Sequence, residues 1–193
     1  MKKNGTKYDL LVIGGSAGSL SIVLKIIPLL EKQMNLCVII IFHRKSTEET
    51  TLLDVLSTRT SYIVKETDDK DPITPGVVYV APADYHVLIE KDMTITLDYS
   101  EKINYSRPSI DVTFETAAEV FGEKLICMLL SGANADGVQG LISARKTGAF
   151  IVVQDPASAE VPYMPQVAVD NVAVDLMLSD DNLTAFQHLL APQ

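Results

Sequence analysis

Asp9-Leu10-Leu11-Val12-Ile13-Gly14-Gly15-Ser16-Ala17-Gly18-Ser19 is the stretch on which the fold turns. Four apolar residues, Leu10 to Ile13, run without a polar interruption and end in two glycines. That pattern predicts a buried parallel strand followed by a tight turn. From Ala17 to Leu30, the residues Leu20, Ile22, Val23, Ile26, Ile27 and Leu30 recur at helical spacing, and Leu36 to Phe42 is a second continuous apolar run. Strand, glycine turn, helix and strand make a βαβ unit, whose crossover is right-handed.

Outward from this unit the alternation continues. The sequence predicts a helix over Thr47–Thr58, a charged surface loop over Asp68–Pro75 and a short strand over Val77–Ala81. His86–Glu90 and Met93–Leu97 flank Lys91-Asp92 as a small hairpin. Residues 99 to 108 read as irregular. Ser109–Val120 reads as a helix, with Ser109 as its N-cap and Asp111 favouring the first turn. Leu125–Leu130 is the strongest later strand, followed by a helix over Asp136–Thr147, a strand over Phe150–Val153 and short helices over Pro162–Val169 and Leu183–Leu190. No repeat, low-complexity tract or linker divides the chain. The expectation is one α/β domain over residues 1–193: a doubly wound, mostly parallel sheet flanked by helices, with a small antiparallel hairpin.

Composition narrows the function classes. The chain has 193 residues, 47% hydrophobic and 21% charged, which suits a globular protein with a real core. A net charge of −9 argues against a nucleic-acid-binding face, which needs an excess of Lys and Arg. No run reaches the roughly 18 apolar residues of a membrane span. The start lacks the apolar core of a secretory signal. Cys37 and Cys127 lie inside apolar runs and read as buried free thiols, so a cytoplasmic setting is expected.

In an open parallel sheet, ligands gather beyond the carboxyl ends of the strands. Ser16, His43 and Asp136 each follow a strand at that edge. Ser16 sits in Gly-x-Ser-x-Gly, where small neighbours permit a nucleophile on a sharp turn and the following N–H groups can stabilise an oxyanion. The competing reading is that Ser16 only caps the next helix. The glycine spacing does not match a dinucleotide fingerprint, and the Lys and Ser/Thr of a P-loop are missing. His43 closes its strand one βαβ unit after Ser16, which brings imidazole and hydroxyl to neighbouring strands. Asp136 reads either as a helix N-cap or as the residue that orients a histidine. Asp111 and Asp155 compete for that place. His86, in the hairpin, and His188, on the last helix, read as less promising.

At these residues the chain resembles the catalytic domain of the chemotaxis protein-glutamate methylesterase family, over roughly residues 8 to 178. The turn Gly14-Gly15-Ser16-Ala17-Gly18, the pair Phe42-His43 and the run Pro75 to Pro82 followed by His86 carry the likeness. So do Arg107-Pro108-Ser109-Ile110-Asp111-Val112 and Gly132-Ala133-Asn134-Ala135-Asp136-Gly137. The resemblance implies a triad of Ser16, His43 and Asp136, with no metal and no dissociable cofactor. It implies hydrolysis of methyl-glutamate side chains on chemoreceptor cytoplasmic helices or related signalling proteins, and often deamidation of receptor glutamines.

The backbone N–H of Ala17 is the candidate oxyanion donor, and Ala133 stands where the family carries a Met associated with that region. Asn134 stands where Gly is usual, Ser19 replaces a common glycine, and Arg44-Lys45-Ser46 follow His43 in place of Met-Pro. The expectation is also that no receiver domain precedes Lys2, so that the phosphorylation control of fused members does not operate within this chain; a separate regulatory protein is a candidate partner. These departures motivate a second reading, a receptor-binding module of the same fold without catalysis.

Overall fold

The computed structural model describes residues 7–30, 35–43 and 49–191. Strand β1 (Leu10–Gly15) is buried along its whole length. Leu10 and Val12 enter one core while Leu11 and Ile13 enter the other, because successive side chains on a strand point to opposite faces. A continuous apolar run is therefore what a strand covered on both faces requires.

The order along the chain is β1, α1 (Ser19–Ile26), β2 (Cys37–Phe42), α2 (Glu49–Ser57), β3 (Ile63–Glu66) and β4 (Val77–Val80), then β5 (His86–Ile89) and β6 (Ile95–Asp98). After these come α3 (Ile110–Phe121), β7 (Leu125–Leu129), α4 (Val138–Lys146), β8 (Phe150–Gln154), α5 (Tyr163–Asn171), β9 (Leu176–Leu178) and α6 (Leu183–Leu190). Seven strands form one sheet in the order β3-β4-β2-β1-β7-β8-β9, and every pairing within it is parallel. Strands β5 and β6 form the separate antiparallel hairpin. The doubly wound architecture expected from the apolar runs is the one observed.

The chain works outward from β1 through β2 to β4 and β3, then returns to the other side of β1 at β7. The switch point thus lies between β1 and β7, with β2 adjoining. One core lies under α3, α4 and α5, and the other under α1, α2 and α6. The hairpin belongs to the first side. It is tied to α3 by Thr113 Oγ1 donating to the Val87 carbonyl at 2.8 Å and by Ile89 N–H donating to Thr116 Oγ1 at 3.0 Å.

Several boundaries differ from the sequence expectation, for identifiable reasons. The helix expected over Ala17–Leu30 begins only at Ser19, since Gly18 holds a left-handed φ of 77° at the N-cap. It tightens to a 3-10 turn at Ile27–Leu29, where Pro28 has no N–H to continue the α-helical ladder. Strands β3 and β9 were not foreseen. They are short and lie at the two sheet edges, so they carry little apolar signal. The helix expected from Thr47 is seen from Glu49, and Thr47 lies outside the described residues, as do Arg44, Lys45 and Ser46.

Candidate active site

Ser16 follows β1 directly. Its N–H donates to the Ser131 carbonyl at 2.9 Å, which ties the turn to the end of β7. Ser131 holds the turn a second time, its Oγ donating to the Ala17 carbonyl at 2.7 Å. The reading of Ser16 as a helix cap does not hold. Gly18 is the N-cap residue of α1, and Ser16 contributes its carbonyl, which accepts from Ser19 N–H at 3.1 Å and Ser19 Oγ at 2.6 Å. The Ser16 side chain is left half-buried at the sheet edge. Ala17 is exposed, and among the described residues its N–H is paired with no acceptor.

Space around Ser16 is set by Gly132. A Cβ built there would lie 2.8 Å from Met164 Sδ and 3.1 Å from Ser16 Cβ. The first is closer than side chains pack and the second is tight, so a side chain at 132 would displace the end of Met164 and crowd Ser16. Met164 N–H donates to the Gly132 carbonyl at 3.0 Å and locks this junction.

His43 follows β2, paired in parallel register beside β1 with Gly15 opposite Phe42. Its backbone N–H donates to the Gly15 carbonyl at 3.3 Å, so His43 stands next to Ser16 across the two strands. The ring Nε2–H donates to Asp136 Oδ2 at 2.7 Å. His43 retains 13% side-chain exposure while Asp136 retains none. The structure thus brings His43 and Asp136 into direct contact. It brings Ser16 to the same edge through the backbone, and among the described residues no hydrogen bond joins Ser16 Oγ to the imidazole.

Asp136 does not cap its own helix. Gly137, with φ 98°, holds the N-cap position of α4, while the Asp136 carboxylate reaches the N-terminus of α3 instead. It accepts four hydrogen bonds: His43 Nε2 at 2.7 Å and Ile110 N–H at 2.7 Å on Oδ2, and Ser109 Oγ at 2.9 Å and Asp111 N–H at 3.1 Å on Oδ1. The first-turn N–H groups of a helix have no partner within the helix and carry the positive end of its dipole. Burial works against the Asp136 charge. The bonds from His43, Ile110 N–H and Asp111 N–H outweigh it, and the carboxyl is held below its ordinary range.

The competing carboxylates resolve by geometry. Asp111 lies buried beside Asp136 but faces α4, with Oδ1 accepting from Gly140 N–H at 2.7 Å and Oδ2 from Asn104 Nδ2 at 2.9 Å. Burial pushes its carboxyl up to about 6, the Gly140 bond opposes this, and the Asp136 charge adds to it. Asp155 accepts from Ala157 N–H in its own turn. Asn134 accepts from Asp136 N–H at 3.1 Å and donates through Nδ2 to Ser106 Oγ at 3.3 Å. Ala133 is exposed beside it. Among the described residues no group of three or more His, Cys, Asp or Glu side chains is arranged to hold a metal, and no helix is long and apolar enough to cross a membrane.

Two residues that lie in the family-like motifs bond into this cluster although the sequence assigns them no part in it. Ser109 was legible as an N-cap, which it is, accepting from Val112 N–H at 3.5 Å. Its bond to Asp136 spans 27 positions and depends on the packing of α3. His86 reads from the sequence as a less promising hairpin residue. It is buried, and its Nδ1 accepts from Ser109 N–H at 3.1 Å.

A serine turn and a hydrogen-bonded His43–Asp136 pair thus lie together at the switch point of a doubly wound parallel sheet, the edge where ligands bind in such folds. The chain belongs to the CheB methylesterase family, which it matches over residues 11–186. A protein of Leptospira interrogans serogroup Icterohaemorrhagiae serovar copenhageni is 43% identical over 172 residues, covering 89% of each chain. The protein-glutamate methylesterase/protein-glutamine glutaminase 1 of Vibrio cholerae is 34% identical over 169 residues, 86% of this chain and 45% of that protein. The crystal structure of the Thermotoga maritima CheB methylesterase catalytic domain superposes with a TM-score of 0.88 at 28% identity, covering 95% of this chain and 97% of that one.

Proposed function

We propose that this chain is a protein-glutamate methylesterase in which Ser16 is the nucleophile, His43 the general base and acid, and Asp136 the residue that orients His43. The observation that carries the reading is the 2.7 Å bond from His43 Nε2–H to the buried Asp136 carboxylate, beside the Ser16 turn, in a chain of this family. Because Nε2 carries the proton shared with Asp136, Nδ1 is the ring nitrogen left to receive the Ser16 proton.

The reaction follows from these roles. Ser16 Oγ attacks the side-chain ester carbonyl as His43 Nδ1 takes its proton, and Asp136 stabilises the imidazolium. The oxyanion faces the Ala17 N–H, with Ala133 lining the same region. His43 returns the proton to the departing methoxide, and methanol leaves. A water deprotonated by His43 then attacks the acyl-Ser16 carbonyl, which releases the glutamate and restores the hydroxyl. A glutamine side chain follows the same steps with ammonia leaving.

The substrates in this reading are methylated cytoplasmic helices of chemoreceptors, met in the cytoplasm. In this reading the described residues act as one domain.

Methanol release from methylated receptor in membranes tests the assignment. The wild type releases methanol, Ser16→Ala does not, and a serine-reactive phosphonate labels Ser16 in the wild type but not in His43→Ala. Full release by Ser16→Ala overturns the triad. Receptor binding without any methanol release by the wild type favours the non-catalytic docking module instead.

A further inference from the structure

The geometry points to His86 as a positioning residue that sets the Asp136 carboxylate through Ser109; the inference rests on the triad proposed above. His86 opens β5 and keeps only 1% exposure, so it is walled off from substrate. Its two ring nitrogens face opposite kinds of group. Nε2 lies 2.9 Å from the Glu101 carbonyl, which can only accept, and Nδ1 lies 3.1 Å from the Ser109 N–H, which can only donate. This pairing requires one tautomer, neutral with the proton on Nε2.

The Ser109 N–H precedes the first turn of α3 and belongs to the residue that launches all the α3 donors to Asp136. Ser109 supplies its own Oγ, and the next two residues supply the N–H groups of Ile110 and Asp111. Fixing the Ser109 peptide therefore fixes three of the four hydrogen bonds on the carboxylate, and through it the His43 ring. An unbroken chain runs from the Glu101 carbonyl through His86, Ser109 and Asp136 to His43. A buried N–H without an acceptor is costly, so without the imidazole the Ser109 peptide turns toward another partner and carries its hydroxyl with it.

Thr113, whose Oγ1 lies 2.8 Å from the Val87 carbonyl and 3.4 Å from the Ser109 carbonyl, also touches this cluster, whereas the contact farther along α3 does not. Thr116 accepts from Ile89 N–H farther along α3, away from the donor cluster, which makes it a control for loss of a hairpin–helix link alone.

The test combines kinetics with spectroscopy on the intact chain. His86→Leu lowers kcat about tenfold or more with KM nearly unchanged, as expected when a catalytic group is misplaced and binding is not. His86→Asn, whose side-chain carbonyl stands where Nδ1 did, recovers most of that loss. Thr116→Val loses stability and keeps kcat.

With 15N-labelled histidine, the wild type shows His86 neutral with a bare Nδ1, and the downfield proton of the His43 Nε2–H···Asp136 bond shifts in His86→Leu. A His86 carrying its proton on Nδ1 in the wild type overturns the inference, whether or not the Leu variant folds. So does a His86→Leu turnover equal to wild type while Ser16→Ala is dead. Methanol release by Ser16→Ala is a different result, and it removes the triad reading itself.

Discussion

Replacing Asp136 by Asn removes one charge and keeps the shape, and its consequences can be worked from the four hydrogen bonds on the carboxylate. An amide has one oxygen where the carboxylate had two. With that oxygen toward His43 and Ile110, the Ser109 hydroxyl can turn to accept from the new amide, but the Asp111 N–H then faces another N–H. One buried unpaired donor costs about 1–3 kcal/mol. Loss of the anion at the N-terminus of α3, a helix of 12 residues, costs a further ~0.3–2 kcal/mol. The sum, about 1–5 kcal/mol, is large against a typical stability of about 5–15 kcal/mol but leaves the protein folded. Catalysis suffers more, because in either amide orientation the imidazolium loses its counter-charge. A triad of this type loses about 10⁴-fold in kcat when the acid becomes an amide. The assay is paired, urea unfolding beside methanol release, with His43→Gln as the variant that loses rate while leaving the α3 donors on the carboxylate. An Asp136→Asn protein that unfolds at the wild-type urea concentration, or that keeps turnover within about tenfold, refutes the assignment of this carboxylate to both jobs.

Three further outcomes follow from the same geometry. Gly132→Ala displaces the end of the Met164 side chain and crowds Ser16 Cβ, at a cost at or below the low end of about 1–3 kcal/mol and with a fall in phosphonate labelling of Ser16; unchanged labelling counts against Gly132 as the spacer. Asp111, raised from 3.8 to about 6 by burial, holds its proton more tightly folded than unfolded. Its contribution is thus full below pH 3.8 and is lost as pH rises through about 6, whereas Asp136, held low, gives a contribution that is lost as pH falls below 3.8. Urea midpoints should decline between pH 4.5 and 6.5 for the wild type and not for Asp111→Asn, and equal slopes would count against the shift. Burial pushes the Cys37 thiol up to about 12 and Cys127 well above its ordinary value. A thiol reagent near pH 8 should therefore react only on unfolding, and rapid reaction of the folded protein would contradict that burial.

Much of the fold was legible because parallel strands covered on both faces must be apolar throughout. Leu10–Ile13, Leu36–Phe42 and Leu125–Leu130 could be read as strands on that ground alone, and their carboxyl ends located Ser16, His43 and Asp136 at one edge. Ile63–Glu66 and Leu176–Leu178 escaped, since edge strands are short and half-exposed and need no apolar run. Helix starts were misplaced by two residues at both Ser19 and Val138, where a glycine in left-handed conformation occupies the N-cap.

The residues and their approximate places, then, came from local chemistry: apolar runs make strands, glycines end them, and polar residues left at the ends mark the edge. The triad of Ser16, His43 and Asp136 was an expectation of the sequence, but which groups each polar residue bonds came only from tertiary structure. Asp136 read as a cap of its own helix or as a partner of histidine; it bonds His43 and caps the N-terminus of another helix, α3. Asp111 looked like its rival and instead fastens α3 to α4. His86 looked like a hairpin residue and instead receives the N–H that precedes the donors to Asp136. The physical reason is the same in each case. A hydrogen bond has a direction and a reach of about 3 Å, and which groups satisfy it across 23 to 29 positions of chain is decided by how helices pack, not by spacing along the sequence.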